Sequence, residues 1–316
     1  MEANSQRPIR ETDLKRLLLS VVFAVSACGG SEGQDSGKQA AAACKGLAKS
    51  KMVWIAGGRF TMGEDARYSE EGPPREVEVD GFWMSQTEVT NAQFAEFVAA
   101  TGYKTEAERK PPALPGAPPE MLQPGSAVFR VPTQGNRNWW AWVPGANWQH
   151  PSGPHSTIAG RDADPVVQVT YNDALAYARW AGLSLPSEEQ WEFAARAGAG
   201  TLPEPKDGSG KPTANYYQGV FPARDLGEDG FTTRAPAGCF PANAFGLYDM
   251  IGNVWEWTSN EARASQPVNV IKGGSFLCAA NYCARYRPAA RQFQERNLGT
   301  DHIGFRLVDH KRPAPR

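Results

Sequence analysis

The chain has 316 residues, 41% hydrophobic and 21% charged, a composition typical of a folded globular domain rather than a disordered one. Lys and Arg number 33 and Asp and Glu 34, so the formal charge of −1 provides no basic field for nucleic-acid binding. The 32 Gly, 25 Pro and 10 Trp residues predict a loop-rich body held by aromatic side chains and disfavour a helical bundle.

Residues 1–27 have the pattern of a secretory signal peptide. Basic residues precede the apolar run 17–25, which is too short to span a bilayer. Residues 25–28, Val-Ser-Ala-Cys, resemble a bacterial lipobox, in which Cys28 becomes the lipidated first residue. The alternative is an ordinary cleaved signal in which Cys28 is incidental. Since Gly29 rather than Asp follows, we expect a lipoprotein of the bacterial cell envelope, anchored in the outer membrane and facing the periplasm.

The rest of the chain divides into three parts. Residues 28–50 are rich in Gly, Ser, Ala, Gln and Lys and predict a flexible tether. Residues 51–310 contain no repeat and no linker, so we expect one domain, followed by a tail at 311–316.

Lipidation of Cys28 would leave four cysteines in an oxidising compartment, and four cysteines allow three pairings. Cys278 and Cys283 are five residues apart, and on spacing alone a local structural disulfide is the favoured interpretation. The sequence does not decide whether Cys44 and Cys239 are free or paired.

Three helices carry start and stop signals. Each begins with a Ser or Thr that can cap the helix, followed three residues later by a Gln or Asp, and each ends at a Gly. The predicted segments are 90–102, 170–182 and 187–198. Alternating apolar residues predict short strands at 53–55, 59–62, 77–79, 270–272 and 304–307. The Pro-rich stretch 111–124 is incompatible with a helix, and we expect it to wrap the surface.

Seven motifs occur in one order along the chain. They are Gly57–Gly63, Glu88–Asn91, Gly145–Pro151, Leu185–Glu192, Gly246–Trp257, Gly273–Cys278 and Gly304–Arg306. Together they resemble the formylglycine-generating enzyme (sulfatase-modifying factor) family from about residue 52 to 307. Most are shared by relatives of the same fold that lack the activity, and the cysteine pair alone separates them. The resemblance implies an α+β fold, a loop-rich variant of the C-type-lectin-like fold with little regular secondary structure.

The family reaction implied is the copper-dependent oxidation by O2 of a cysteine in a target sulfatase to Cα-formylglycine. The target cysteine lies in a Cys-x-Pro-x-Arg type motif. The implied partners are therefore a sulfatase polypeptide and O2, besides a membrane reached through the lipid on Cys28, and we expect a monomer.

Cys278 and Cys283 match the active-site pair of the family. Two soft thiolates can hold Cu(I) in near-linear coordination with room for the substrate thiolate. The four residues between them bring both sulfurs to one ion, and the same geometry allows a disulfide, which would then be an off-cycle resting form.

The resemblance assigns three further residues to the active site. Ser275 matches a serine whose hydroxyl hydrogen-bonds near the metal and oxygen, although after two glycines it also fits a turn residue. Trp255 and Tyr282 match the substrate groove, although a Trp is more often core than contact. On composition alone, Arg285, Arg287 and Arg291 would be solvated charges.

Structural calcium is the second metal implied, because hard cations take carboxylate and carbonyl oxygens from irregular loops. One family calcium site is matched by Asp249, Gly252, Val254 and Glu256, and the other by Asn215, Tyr216, Asp229 and Phe231. The alternative for each set is a capped turn without metal.

The chain departs from the family pattern at four places. Ala279 replaces a His, Pro288 replaces a non-catalytic Cys, Asp301-His302 replaces a common Ser-Asn pair, and residues 111–124 differ from the loop that flanks the groove. These changes affect the expected peptide motif more than the chemistry.

Three other functional classes compete. A non-catalytic peptide- or glycan-binding module of the same fold is the main alternative, and the retained cysteine pair disfavours it. An iron-dependent sulfoxide synthase needs a His triad, and none of the four His residues here shows a His-x-x-x-His spacing. A hydrolase would need a Ser-His-Asp or Cys-His constellation, for which no local motif is present.

Overall fold

The computed structural model describes residues 44–112, 115–198, 205–262 and 267–312. The predicted signal peptide and Cys28 lie outside these residues. Within the described ranges, no helix is long and apolar enough to cross a bilayer.

The three α-helices begin at the predicted caps and are α1 (Asn91–Thr101), α2 (Tyr171–Trp180) and α3 (Glu188–Arg196). At each start, the capping hydroxyl accepts a hydrogen bond from the backbone N–H three residues on, which satisfies a donor that the helix itself leaves free. α1 ends at Gly102 in the left-handed conformation (φ 65°), as predicted. α3 ends one residue earlier than expected, because Ala197 rather than Gly198 takes the left-handed cap (φ 48°).

Short strands make up the rest of the regular structure. They are β1 (Met52–Ile55), β2 (Gly58–Met62), β3 (Arg75–Val79), β4 (Phe82–Ser85), β5 (Gly125–Phe129), β6 (Trp140–Pro144), β7 (Gly219–Val220), β8 (Arg224–Asp225), β9 (Trp255–Glu261), β10 (Val268–Lys272), β11 (Arg291–Glu295), β12 (Ile303–Gly304) and β13 (Val308–Asp309). The described part of the chain thus forms a loop-rich α+β fold, as predicted.

These strands form small sheets. The largest has the order β11-β10-β9-β12 and is antiparallel except where β12 runs parallel to β9. A three-stranded sheet has the order β1-β4-β13, and β2–β3, β5–β6 and β7–β8 are two-stranded. The loop of residues 273–290 connects β10 to β11, so the central sheet holds both ends of the segment with Cys278 and Cys283.

Two details differ from the sequence-based expectation. Of the predicted strand 304–307, only Gly304 lies in a strand, β12, and β13 begins just after this range, because the chain passes there from one sheet to another while the Arg306 side chain turns inward to Glu256. The stretch 111–124 contains a short 3-10 helix, Pro119–Leu122, whose first position suits Pro since no N–H is needed there.

The main hydrophobic core lies between the helices and the central sheet. Phe94 of α1 and Tyr177 of α2 pack in one cluster with Trp255 and Trp257 of β9. Cys278 is a member of the same buried cluster. The 273–290 loop is therefore packed into the main core at Cys278.

Residues 44–50, the end of the predicted tether, lie against the domain. Cys44 forms a disulfide with Cys239, and the Leu47 N–H donates to the Ala237 carbonyl at 2.7 Å. The Ala48 carbonyl accepts from the Thr90 hydroxyl at 2.9 Å. A covalent bond and hydrogen bonds thus attach residues 44–50 to the domain.

Candidate functional site

Cys278 and Cys283 are brought together by a tight turn at the start of the 273–290 loop. Their Sγ atoms lie 3.5 Å apart and both thiols are free. The Cys283 N–H donates to the Ala279 carbonyl at 2.9 Å, which closes the turn between them. The loop requires glycine at its entry, because Gly274 has φ +79° and a Cβ there would lie 2.5 Å from the Arg285 carbonyl.

The two thiols have different environments. Cys278 is buried and its pKa is raised well above the ordinary value, because burial disfavours the thiolate and its thiol shares a hydrogen bond with Cys283. The pKa of Cys283 is lowered to about 7, because the shared hydrogen bond with Cys278 and the neighbouring Arg285 guanidinium favour its thiolate. Cys283 is half-buried, so the thiol that ionises more readily is also the one nearer the solvent.

Arg285 and Arg287 are held inside the structure, contrary to the expectation of solvated charges. Arg285 Nη1 lies 3.9 Å from Cys283 Sγ, while Nη2 pairs with the Glu70 carboxylate. Arg287 is 1% exposed and forms an ion pair with Glu71 at 2.8 Å. The expectation was wrong because the partners of both arginines come from residues 69–71, more than 200 positions earlier in the chain.

Ser275 and Trp255 take structural positions next to the thiol pair. The Ser275 carbonyl accepts from the Cys278 N–H at 2.9 Å and its hydroxyl from the Leu277 N–H at 3.3 Å, which are the contacts of a turn residue. Trp255 is 1% exposed and packs in the cluster that contains Cys278. It therefore belongs to the same core cluster as Cys278, and its predicted role in the substrate groove stays a prediction.

An aromatic wall of Tyr282, Phe221 and Trp139, of which Tyr282 is the exposed member, stands beside the pair. Tyr282 is 54% exposed and stacks on Phe221, with ring centroids 4.9 Å apart and an interplanar angle of 14°. Trp139 contacts the same tyrosine at 4.6 Å. Tyr282 is thus placed where a bound peptide could touch it, and its aromatic partners were missed because they lie in distant hairpin loops. The Trp139-Trp140 dipeptide was the one available signal.

A cavity of about 650 Å³ lies in the described part of the chain and is not lined by the thiol pair. It lies along the β5–β6 hairpin, where Trp140 and Trp142 form part of its wall. Trp139 and Trp140 are consecutive, so the aromatic wall and this cavity meet at the start of β6.

The predicted calcium ligands Asp249 and Glu256 lie in a buried carboxylate cluster with Glu88, a residue missed at the sequence level. Burial and the charge of Asp249 raise the pKa of Glu88 well above its ordinary value. Burial likewise raises the pKa of Asp249 to about 6. Glu256 is bidentate to Arg306, but Asp249 Oδ1 and Glu88 Oε2 are buried without a hydrogen-bond donor. Two unpartnered carboxylate oxygens fit a hard cation.

In the second predicted calcium set, the Tyr216 carbonyl and the Asp229 carboxylate converge on one point. The Gln218 amide nitrogen donates to both of them, at 2.7 Å to Asp229. Asp229 also accepts from the Tyr216 and Phe231 N–H groups, and burial raises its pKa to about 6. These oxygens are of the type that a hard cation takes, but a cation there would have to displace the Gln218 amide.

The two calcium sets are in direct contact. Gly252 has φ +76° and a Cβ there would lie 2.2 Å from the Asn215 carbonyl, so only glycine permits the approach. Asn215 Nδ2 donates to Asn253 Oδ1 at 3.0 Å, and Asn253 Nδ2 donates to Glu88. Val254 is buried beside them. Within the described ranges, no three His, Cys, Asp or Glu side chains converge as a complete metal site.

The chain is similar to known proteins over most of its length. A profile of the sulfatase-modifying factor enzyme 1-like domain matches residues 38–311. The formylglycine-generating enzyme of Mycobacterium tuberculosis is 48% identical over 293 residues, which cover 82% of this chain and 97% of that protein. The inactive Cα-formylglycine-generating enzyme 2 of Mus musculus is 40% identical over 267 residues, covering 81% and 85%. Sequence identity alone therefore does not decide activity.

Among solved structures, PvdO from Pseudomonas aeruginosa superposes with a TM-score of 0.58 at 26% identity and covers 84% of this chain and 95% of that one. The family profile spans almost the entire described part of the chain, and the relatives match over most of its length. The chain is therefore a member of the formylglycine-generating enzyme (sulfatase-modifying factor) family.

Proposed function

We propose that this protein oxidises a cysteine of a target sulfatase to Cα-formylglycine with O2, using Cu(I) held by Cys278 and Cys283. The observation that carries the proposal is the 3.5 Å separation of two free thiols on one loop, in a chain whose other described cysteines form a disulfide. Soft, adjacent sulfur ligands are the donor set that suits Cu(I). When bound, Cu(I) supplies a soft site for the target thiolate and for O2 activation.

The chain's own residues have separate tasks in this reaction. Cys283, with its lowered pKa, provides a thiolate near neutral pH, whereas buried Cys278 gives up its proton on binding the metal. Tyr282, Phe221 and Trp139 offer the target segment an apolar wall and exclude water on that side of the sulfurs. Ser275 holds the turn that fixes Cys278.

The overall chemistry balances with one external reductant. Oxidation of the target Cβ–SH to a thioaldehyde removes two electrons, and water then replaces the sulfur, which leaves as hydrogen sulfide, to give the aldehyde. Reduction of O2 to two waters takes four electrons, so a thiol reductant supplies the other two.

We assign structural calcium to the two sets around Asp249 and Asp229, with Glu88 added to the first. The support is the pair of unpartnered buried oxygens on Glu88 and Asp249 and the convergence of the Tyr216 carbonyl on Asp229. The catalytic role stays with the thiols.

The proposal is tested with a synthetic Cys-x-Pro-x-Arg peptide and protein reconstituted with Cu(I) under argon. After O2 and a thiol reductant are added, we expect aldehyde formation, detected by mass spectrometry, and about one copper per chain. A peptide with Ser in place of Cys is the control. A copper-loaded protein that binds the peptide without forming aldehyde would favour the non-catalytic binding module.

We also propose that the protein is lipidated at Cys28 and attached to the bacterial cell envelope, as the first 28 residues suggest. Intact mass and membrane fractionation of the protein and of Cys28→Ala test this. A soluble product with unmodified Cys28 would contradict it.

A further inference from the structure

We infer that Arg285 is the counter-cation of the thiol pair, balancing the negative charge that two thiolates leave when they hold Cu(I). The inference rests on the proposed function in its reference to copper. It assigns a task to a residue that the sequence alone presents as a solvated charge.

The Arg285 guanidinium is held with its Nη1 atom toward the Cys283 sulfur. Nη1 lies 3.9 Å from Cys283 Sγ, and the guanidinium carbon lies 4.2 Å above the ring of Tyr68. Nη2 pairs with Glu70, and Nε lies 3.9 Å from a Glu71 oxygen. The side chain is 17% exposed. Contacts on its other sides therefore leave Arg285 little freedom to turn away from the sulfurs.

Neighbouring charges do not take over this task. Two neighbouring cations are already paired in buried positions. Arg287 pairs with Glu71 at 2.8 Å, and Lys272 pairs with Glu192 at 2.9 Å. Glu70 does share the charge of Arg285, but it lies on the side of Nη2, whereas Nη1 faces Cys283. Since Coulomb energy falls with distance, the nearer guanidinium edge dominates the field at the sulfur.

The charge count shows why a cation is needed. Two thiolates and one Cu(I) sum to −1, and a third thiolate from the target brings the site to −2. Negative charge in a partly buried site is costly unless it is paired. Counted with the sulfurs and copper alone, Arg285 offsets one negative charge in each state. Glu70 shares that positive charge but lies on the far side of the guanidinium, so Arg285 supports both metal binding and entry of the target thiolate.

A copper-free experiment measures the field of Arg285 directly. The metal-free full-length protein is alkylated in parallel with iodoacetate and with iodoacetamide, and mass spectrometry quantifies the adduct on Cys283. In both reactions the thiolate forms a C–S bond and iodide leaves, so the ionised fraction of Cys283 cancels in the ratio of the two rates. A nearby cation favours the anionic reagent.

We expect Arg285→Gln to lower the iodoacetate-to-iodoacetamide ratio at least threefold, and Arg285→Lys to retain most of the wild-type ratio. Arg291→Gln is the matched control, because Arg291 also contacts Glu70, through the Glu70 carbonyl, and pairs with Glu188. A wild-type ratio in Arg285→Gln, or an equal fall in Arg291→Gln, would overturn the inference.

Copper affinity is the second measurement, by competition with a chromophoric Cu(I) chelator under argon. Arg285→Gln should bind Cu(I) at least tenfold more weakly than wild type, with Arg285→Lys between them. Unchanged affinity would refute the inference. If the ratio falls in Arg285→Gln but the wild type never forms aldehyde, the proposed function fails and the charge role stands. If aldehyde forms but the ratio is unchanged, the inference alone fails.

Discussion

The thiol pair and the carboxylate cluster of Glu88, Asp249 and Glu256 are assembled in opposite ways. The thiols come from one turn, five residues apart, and one of them is half-buried. The carboxylates come from segments about 165 residues apart and are buried together with a single guanidinium, that of Arg306. A local site can thus be altered without unfolding the domain. A site built from distant segments holds those segments together, so its loss lowers the free energy of unfolding.

The largest effect should follow from changes to the thiol pair. Cys278→Ser and Cys283→Ser should each reduce aldehyde formation to background and remove tight copper binding, because a single thiolate is a much poorer soft site. The melting temperature should change little for Cys283→Ser, which is half-buried, and fall further for Cys278→Ser, which places a hydroxyl in the buried core. Ala280→Ser, an exposed change in the same turn, is the control. Aldehyde formation that persists in either Cys variant would refute the assignment.

The Cys44–Cys239 disulfide should have the opposite profile. It closes a loop of 195 residues beside the carboxylate cluster, where the Gly238 N–H donates to Asp249. Replacing both cysteines by Ser should lower the free energy of unfolding by about 2–5 kcal/mol, measured by urea titration. The alkylation rate of Cys283 in the folded protein should stay at the wild-type value. A large change in that rate would show that the two regions are not independent.

Calcium should act on stability through the carboxylate cluster. At a free concentration of 100 times its Kd, calcium should raise the free energy of unfolding by about 2.7 kcal/mol, and EDTA should reverse this. The pKa of Asp249 is raised to about 6, so its contribution to metal-free stability is lost as pH rises from about 4 to 6. The calcium increment should therefore grow through pH 6.

Asp249→Asn should abolish most of that increment, while Glu78→Gln, an exposed carboxylate change, should leave it intact. A melting curve that EDTA does not move, together with no calcium by elemental analysis, would remove calcium from the structure.

The smallest effect concerns Asp301 and His302, which are buried outside both sites. Burial lowers the pKa of His302 to about 3. On acidification the unfolded protein therefore binds a proton at His302 before the folded protein does, and the free energy of unfolding falls as pH drops below about 6.5. Burial raises the pKa of Asp301 to about 6, so its contribution is lost as pH rises from about 4 to 6.

Each group should contribute a slope of up to about 1.4 kcal/mol per pH unit, with opposite signs. Urea titrations from pH 4 to 8 should show that His302→Gln flattens the acidic loss and Asp301→Asn the loss toward pH 6. His155→Gln, at an exposed position, is the control. Neither slope should respond to calcium, and a calcium-dependent Asp301 slope would contradict the separation of these regions.

Local signals in the sequence predicted what neighbours in the chain determine. The capping residues at Thr90, Thr170 and Ser187 placed all three helices, since a cap and its partner lie within one turn. The spacing of Cys278 and Cys283 predicted their approach for the same reason.

Contacts between distant segments escaped prediction. Glu88 reaches the carboxylate cluster through Asn253, and Arg285 reaches Glu70 across more than 200 residues. The burial of Trp255 was not predicted either, because the Gly246–Trp257 motif does not show which face of β9 is turned to the core. The hairpin β5–β6 was missed because its Trp-rich and Pro-flanked sequence lacks clear alternation.

The two cysteine pairs require opposite redox states within one molecule. Cys44 and Cys239 stabilise the domain only when oxidised, whereas Cys278 and Cys283, already 3.5 Å apart, can bind a metal only when reduced. An oxidant that closes the first pair can also close the second, and a reductant that opens the second threatens the first. The proposed copper site and the full stability of the domain are therefore available together only at an ambient potential that lies between those of the two pairs.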